Sequence, residues 1–94
     1  MSGMSTVRQW VVDIEIDEEE DERVTRAEAR LRTHKEEQFS ARGTAYRHPH
    51  DREVPQIGDE LAAARALSEL SHQLVVAAAE NIEQVTHRPS HLQG

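Results

Sequence analysis

The alternation of apolar and polar residues predicts a β-strand that begins at Trp10. The apolar residues of one face are Trp10, Val12, Ile14 and Ile16, and the acidic residues of the other are Asp13, Glu15 and Asp17. This two-residue period is typical of a half-buried strand. The acidic run that follows, residues 17–22, offers no apolar side chain to bury. We therefore expect a solvated hairpin loop there.

Two further alternating runs predict the second and third strands of an antiparallel meander. The apolar face of the second strand consists of Thr25, Ala27, Ala29 and Leu31, and that of the third consists of Phe39, Ala41, Gly43 and Ala45. Such small residues make the face shallow, so a helix can lie close to it. We expect larger side chains to fill the margins of this core, namely Trp10, Ile14, Ile16, Leu31 and Phe39.

The C-terminal third of the chain predicts one long amphipathic helix, from Ile57 to Val85. Its helically spaced apolar residues are Ile57, Leu61, Ala64, Leu67, Leu70, Leu74, Ala78, Ile82 and Val85. A helix of this length would extend about 40 Å, whereas strands of eight residues reach only about 27 Å. We expect either a break near Asn81, which could cap a short final helix, or an overhang that packs on a second subunit.

The predicted fold class is therefore α+β, with a three-stranded antiparallel β-meander packed by a long C-terminal helix. We expect one domain over residues 10–89, between a disordered N-terminus, residues 1–9, and a disordered tail, residues 90–94.

Composition removes several function classes. The 94 residues contain no cysteine, which excludes a disulfide framework, a thiolate zinc site and a cysteine nucleophile. A net charge of −7 opposes binding to nucleic acid or to an anionic membrane surface. No signal peptide, membrane span, glycine-rich phosphate loop or serine nucleophile motif is visible. We expect a cytoplasmic protein that is not an enzyme and needs no cofactor.

The predicted helix has an apolar arc of roughly 200°, wider than the ≳ 100° stripe that one core contact needs. Because the core is also thin, the sequence predicts a homo-oligomer, a dimer or larger, or binding to a protein partner. The expected contact residues are Leu70, Leu74, Val75, Val76, Ala78 and Ala79.

Two alternative functions rest on other residues. A nucleic-acid-binding face could be formed by Arg26, Arg30, Arg42 and Tyr46. The acidic residues of the first strand face the same way, however, so we expect cross-strand ion pairs to neutralise these arginines. A metal or small ligand could be held by His48 and His50, but His-Pro-His is not a standard ligand spacing, and no metal site is predicted.

The segments "VPQIGDELAAARALSELSHQL" and "NIEQVTHRP" carry a family resemblance. From Trp10 to Pro89 the chain resembles an actinobacterial domain-of-unknown-function family, number 1876, known from mycobacterial members. The stretches 57–61 and 86–89 are its most specific parts. The resemblance implies a fold like that of double-stranded-RNA-binding domains, a three-stranded antiparallel sheet with a C-terminal helical segment. It implies no activity and no site residue.

Overall fold

The protein consists of three strands followed by one helix. The structure is a computed structural model that describes residues 5–34, 37–47 and 54–86. Its elements are β1 (Val11–Glu19), β2 (Val24–Arg32), β3 (Glu37–Tyr46) and α1 (Pro55–Thr86). The strands form one antiparallel sheet in the order β1-β2-β3. The predicted α+β fold class is confirmed. The predicted tail at residues 90–94 lies outside the described residues.

The β1–β2 hairpin differs from the predicted acidic loop. Pairing continues to Glu19, which lies opposite Val24, so half of the acidic run belongs to β1. Acidic side chains are as well solvated from an exposed strand as from a loop, and the backbone gains ladder hydrogen bonds. The turn is closed by Arg23, whose amide donates to the carbonyl oxygen of Glu20 at 3.2 Å. Arg23 adopts a positive φ of 55°, a left-handed conformation that costs energy for a residue with a Cβ.

The core is built mostly from alanine. Its buried members are Ala27, Ala29, Leu31, Ala41, Ala45, Ala62, Ala66 and Leu70. Small side chains bring the helix backbone close to β3, and Gly43 marks the closest approach. A Cβ built on Gly43 would overlap the backbone nitrogen of Ala66 and the carbonyl oxygen of Ala62. The predicted shallow face is confirmed, with Phe39 packing at its margin.

Helix α1 runs antiparallel to β3 and lies toward that side of the sheet. The Arg65 Nη1 donates to the carbonyl oxygen of Thr44 at 2.7 Å, and the Gln73 Nε2 donates to that of Ser40 at 3.0 Å. Packing against β3 and β2 is extensive, whereas packing against β1 is marginal. On the face of the sheet against which it packs, the helix therefore covers β3 and β2 and leaves β1 open.

The helix is continuous from Pro55 to Thr86, so the predicted break near Asn81 is wrong. Neither glycine nor proline occurs between Asp59 and Thr86, and excess length alone gives no reason for a helix to break. Thirty-two residues extend about 48 Å, whereas a strand of nine or ten residues reaches about 30–34 Å. The C-terminal part of α1 consequently projects past the sheet, and its packing on a second subunit stays a prediction. Within the described residues, no helix is long and apolar enough to cross a membrane.

Candidate interaction surface

A row of three aliphatic side chains lies along β1 on the helix side of the sheet. We call Val12, Ile14 and Ile16 the β1 row. Each is paired directly with a buried residue of β2. Ile14, for example, lies opposite Ala29. Directly paired residues project to the same face of an antiparallel sheet. The β1 row therefore points toward the layer that contains α1.

The helix does not cover the β1 row. All residues of β1 are exposed, and Ile14 keeps 39% of its surface accessible while Ala29 beside it keeps none. The expectation that Trp10, Ile14 and Ile16 fill the margins of the core is therefore wrong. The physical reason is width, because a helix about 10 Å across covers the width of only two strands spaced about 4.8 Å apart. Placed over β2 and β3, α1 cannot also shield β1.

Leu67 extends this apolar surface onto the helix. It follows the buried residue Ala66, and it lies on the opposite shoulder of the helix from Arg65. Because Arg65 contacts β3, Leu67 lies on the shoulder nearer to β1. It is 41% exposed, which is high for a leucine that flanks a core. The β1 row and Leu67 thus border a single groove between β1 and α1.

The predicted contact residues of the helix fall into three groups. Leu70 is 3% exposed and belongs to the core of its own chain, so it is not available to a partner and that part of the prediction is wrong. Leu74 packs partly against the same core. The remaining four, Val75, Val76, Ala78 and Ala79, are partly or fully exposed on the part of α1 that projects past the sheet. That projecting part also exposes Ile82 and Val85.

The outer face of the sheet carries a ladder of ion pairs. Arg32 pairs with Asp13 across the strands at 2.5 Å, and Arg30 pairs with Glu15 at 3.5 Å. Glu28, the least exposed of these carboxylates, contacts Arg30 at 2.6 Å and Arg42 at 3.7 Å. The predicted cross-strand pairing is confirmed at these positions.

Arg26 is an exception to the predicted cross-strand pairing, because it pairs with Glu22 in the turn at 3.3 Å and not with Asp17, which lies opposite it on β1. The residues proposed for nucleic acid, Arg26, Arg30, Arg42 and Tyr46, do share the outer face. Every one of these arginines has a carboxylate partner, however, and Tyr46 stands at the far end of β3. The face therefore presents alternating charges rather than a basic patch.

The metal alternative falls on residues that are not described, since His48 and His50 lie in the gap between residues 47 and 54. Among the described residues, no group of three or more histidine, aspartate or glutamate side chains is placed to hold a metal ion. The His48 and His50 alternative consequently remains a sequence prediction.

An open cleft of about 460 Å³ lies at the other end of the molecule, between the hairpin, the end of β3 and the start of α1. Ala45, Ile57 and Leu61 form its apolar wall. Two carboxylates, Glu18 and Glu20, and two cations, Arg23 and Arg47, stand around it. Sequence reasoning missed this cleft because no single motif brings these three segments together.

Comparison with known proteins gives a consistent result. A protein-family model described as Rv2632c-like matches residues 8–91. The "Uncharacterized protein Mb1767" of Mycobacterium bovis is 48% identical over 86 residues, which cover 92% of this chain and 88% of that protein. The "Uncharacterized protein Rv2632c" of Mycobacterium tuberculosis is 51% identical over 72 residues, which cover 77% of this chain and 75% of that protein. The names of these relatives state no activity.

Proposed function

The chain belongs to the Rv2632c-like family, and the similar members are named as uncharacterized proteins. From the structure, we propose that the protein is a non-enzymatic self-association module. In this proposal two copies join through the β1 row and the adjoining shoulder of α1. The observation that carries it is the β1 row itself, an aliphatic surface on the core side of the sheet that its own helix leaves exposed.

Burial of this row supplies a driving force. Removing apolar surface from water contributes about 25 cal/mol per Å². The residues of the row share one face of β1 and Leu67 lies on the side of α1 nearer to them, and clustered exposed apolar residues are typical of an interaction site. A partner that fills the groove completes a helix-over-sheet layer that one chain builds only over β2 and β3.

Pairing of β1 edges would not fill the groove. In an antiparallel pair of β1 strands, the acidic residues Asp13, Glu15 and Asp17 of the two copies would face one another. Like charges directly opposite destabilise a strand pair. The ion pairs to Arg30 and Arg32 reduce this repulsion without removing it. The acidic edge therefore favours contact through the apolar face and disfavours growth of the sheet.

Charge also predicts how the association responds to salt. Each copy carries a net charge of −7, so two copies repel each other at low ionic strength. The proposed contact is apolar, so salt does not weaken the contact itself. Salt does screen the charge repulsion between the two copies. Association therefore strengthens as sodium chloride rises, the opposite of what a contact held by ion pairs would show.

The test is molar mass in solution by light scattering across protein concentration at low and high salt. We expect a concentration-dependent dimer, and Ile14→Glu to shift it to monomer by placing a charge in the β1 row. The matched control is Ser40→Glu, which adds the same charge to the outer face of β3, where Ser40 is exposed. A monomer at every concentration, or equal loss of dimer in both variants, would overturn the proposal.

A further inference from the structure

We infer that the two copies pair through their α1 helices, side by side and antiparallel, about a two-fold axis close to position 76. This inference rests on the proposed self-association and adds its geometry. In this contact, the groove between β1 and α1 is filled by the projecting part of α1 from the second copy.

The distribution of charge along α1 points to this contact. Between Leu61 and Thr86 the ionisable residues are Arg65, Glu69, His72, Glu80 and Glu83. At 100° per residue all five fall within an arc of about 80°. The opposite side of the helix carries an uncharged line of residues, which we call the seam: Leu67, Ser71, Leu74, Ala78, Asn81 and Val85.

The seam has the spacing of a helix–helix contact. Positions 67, 74 and 81 form one seven-residue series, and positions 71, 78 and 85 form the other. A seven-residue repeat of this kind keeps one line of side chains facing a neighbouring helix. The chain's own sheet does not use the seam, because all of its members except Leu74 are exposed. The seam begins at Leu67, on the shoulder of α1 nearer to β1.

The seam is complementary to itself in one antiparallel register. Centred on position 76, the register pairs Leu67 with Val85 of the second copy and Leu74 with Ala78. It also pairs Ser71 with Asn81, so that the two polar residues meet and can hydrogen-bond. A leucine opposite an alanine permits the 8–10 Å separation of closely packed helices.

Neighbouring registers are worse. A shift of one heptad that pairs Leu67 with Ala78 places Asn81 against Ala64 and Val85 against Glu60. A polar residue then loses its partner and a carboxylate faces an aliphatic side chain, both of which cost free energy. A shift in the other direction sets Asn81 against Ala78. Polar residues in a seam fix helix register in this way.

The same arrangement covers the β1 row. A second helix lying 8–10 Å from α1 on its open side comes above β1, about two strand intervals away. Residues 76–86 of that helix extend about 15 Å, and the row from Val12 to Ile16 extends about 13 Å. Because α1 is antiparallel to β3 and projects past the strand starts, the two sheets lie end to end. One contact thus accounts for the projection of α1 and for the exposed β1 row.

Disulfide trapping tests this geometry directly, because the natural chain has no cysteine. Leu67→Cys and Val85→Cys are purified separately, mixed in equal amounts and oxidised gently. We expect a disulfide between the two different variants, since their Cβ atoms meet across the seam. Each variant oxidised alone stays uncrosslinked, because two copies of position 67 are about 27 Å apart in this register. The matched control mixes Ser68→Cys with Gln84→Cys, which lie at equivalent heights off the seam.

The outcomes separate this inference from the function on which it rests. Light scattering that finds a dimer, with disulfides at other pairs or in the control mixture, overturns the antiparallel register and leaves self-association standing. A monomeric natural protein overturns both. A specific disulfide between Leu67→Cys and Val85→Cys, with the dimer kept and circular dichroism unchanged, supports the register.

Discussion

Gly43 and Ala66 are in contact through backbone atoms, with no space between them for a side-chain carbon. A Cβ on Gly43 would overlap the amide nitrogen of Ala66 and stand 2.8 Å from the carbonyl carbon of Arg65. Helix backbone cannot move aside as a flexible side chain can. This contact therefore sets the height of α1 above the sheet.

Gly43→Ala is expected to lower the free energy of unfolding by about 2–3 kcal/mol, because the added methyl group must push α1 away from β3. Urea denaturation followed by circular dichroism measures the change. The control is Gly58→Ala, whose new Cβ would meet the side chain of Thr25, with its Oγ1 at 2.8 Å and its Cβ at 3.6 Å. That side chain can rotate and alanine favours helix, so the control should stay within about 1 kcal/mol of the natural protein. Equal losses in the two variants would contradict the contact.

Arg23→Gly is expected to raise the free energy of unfolding by up to about 1 kcal/mol. Glycine removes the steric cost of the positive φ at this turn, which exceeds the entropy that glycine loses on folding. The melting temperature measured by calorimetry reports the effect. Arg23→Ala deletes the same side chain but keeps the Cβ, and it should give no gain. A gain in both variants would assign the effect to the lost arginine charge instead.

Leu70 and Leu67 are three residues apart, and we predict different effects when each is replaced by alanine. Leu70→Ala should cost about 2–4 kcal/mol of unfolding free energy at any protein concentration, because Leu70 is buried in its own chain. Leu67→Ala should cost less than about 1 kcal/mol in the monomer and mainly weaken association. Denaturation at two widely different concentrations distinguishes these effects. A large, concentration-independent loss in Leu67→Ala would place that residue in the core.

The paired arginines of the outer face predict that the protein does not bind nucleic acid. Fluorescence anisotropy with labelled single- and double-stranded RNA should show no binding even at low salt, where phosphate contacts are strongest. The double variant Glu15→Gln with Glu28→Gln removes two carboxylates from the ladder and should be the first to bind weakly. Salt-sensitive binding by the natural protein would contradict the prediction.

Sequence pattern was sufficient for the strands, the helix and the small residues between them, because period and side-chain size act locally. It was insufficient for β1, where Ile14 alternates as a buried residue would and yet remains exposed. Which strand a helix leaves uncovered depends on its lateral position, and that position is set by distant contacts such as those of Arg65 and Gln73 with β3. The predicted break near Asn81 was wrong because the ability of a residue to cap a helix does not end a helix whose backbone hydrogen bonds continue.

The cleft was invisible to motif reading because its wall combines the end of β3 with the start of α1. Ala45 and Leu61 are 16 positions apart and neither is unusual in its own segment. The ion pairs were predictable in kind because paired strands bring opposite charges together. The individual partners in these ion pairs were less predictable, because Arg26 pairs with Glu22 within the hairpin.

The hydrogen bonds from Arg65 and Gln73 to carbonyl groups of β3 have a consequence for stoichiometry. They hold the helix over β3 and β2, so on this face of the sheet only the β1 side is left open for the proposed assembly. A subunit with one such side has a valence of one. If two copies pair about a two-fold axis as we propose, neither retains an open β1 side for a third copy, and we expect a closed pair that does not grow into a fibre.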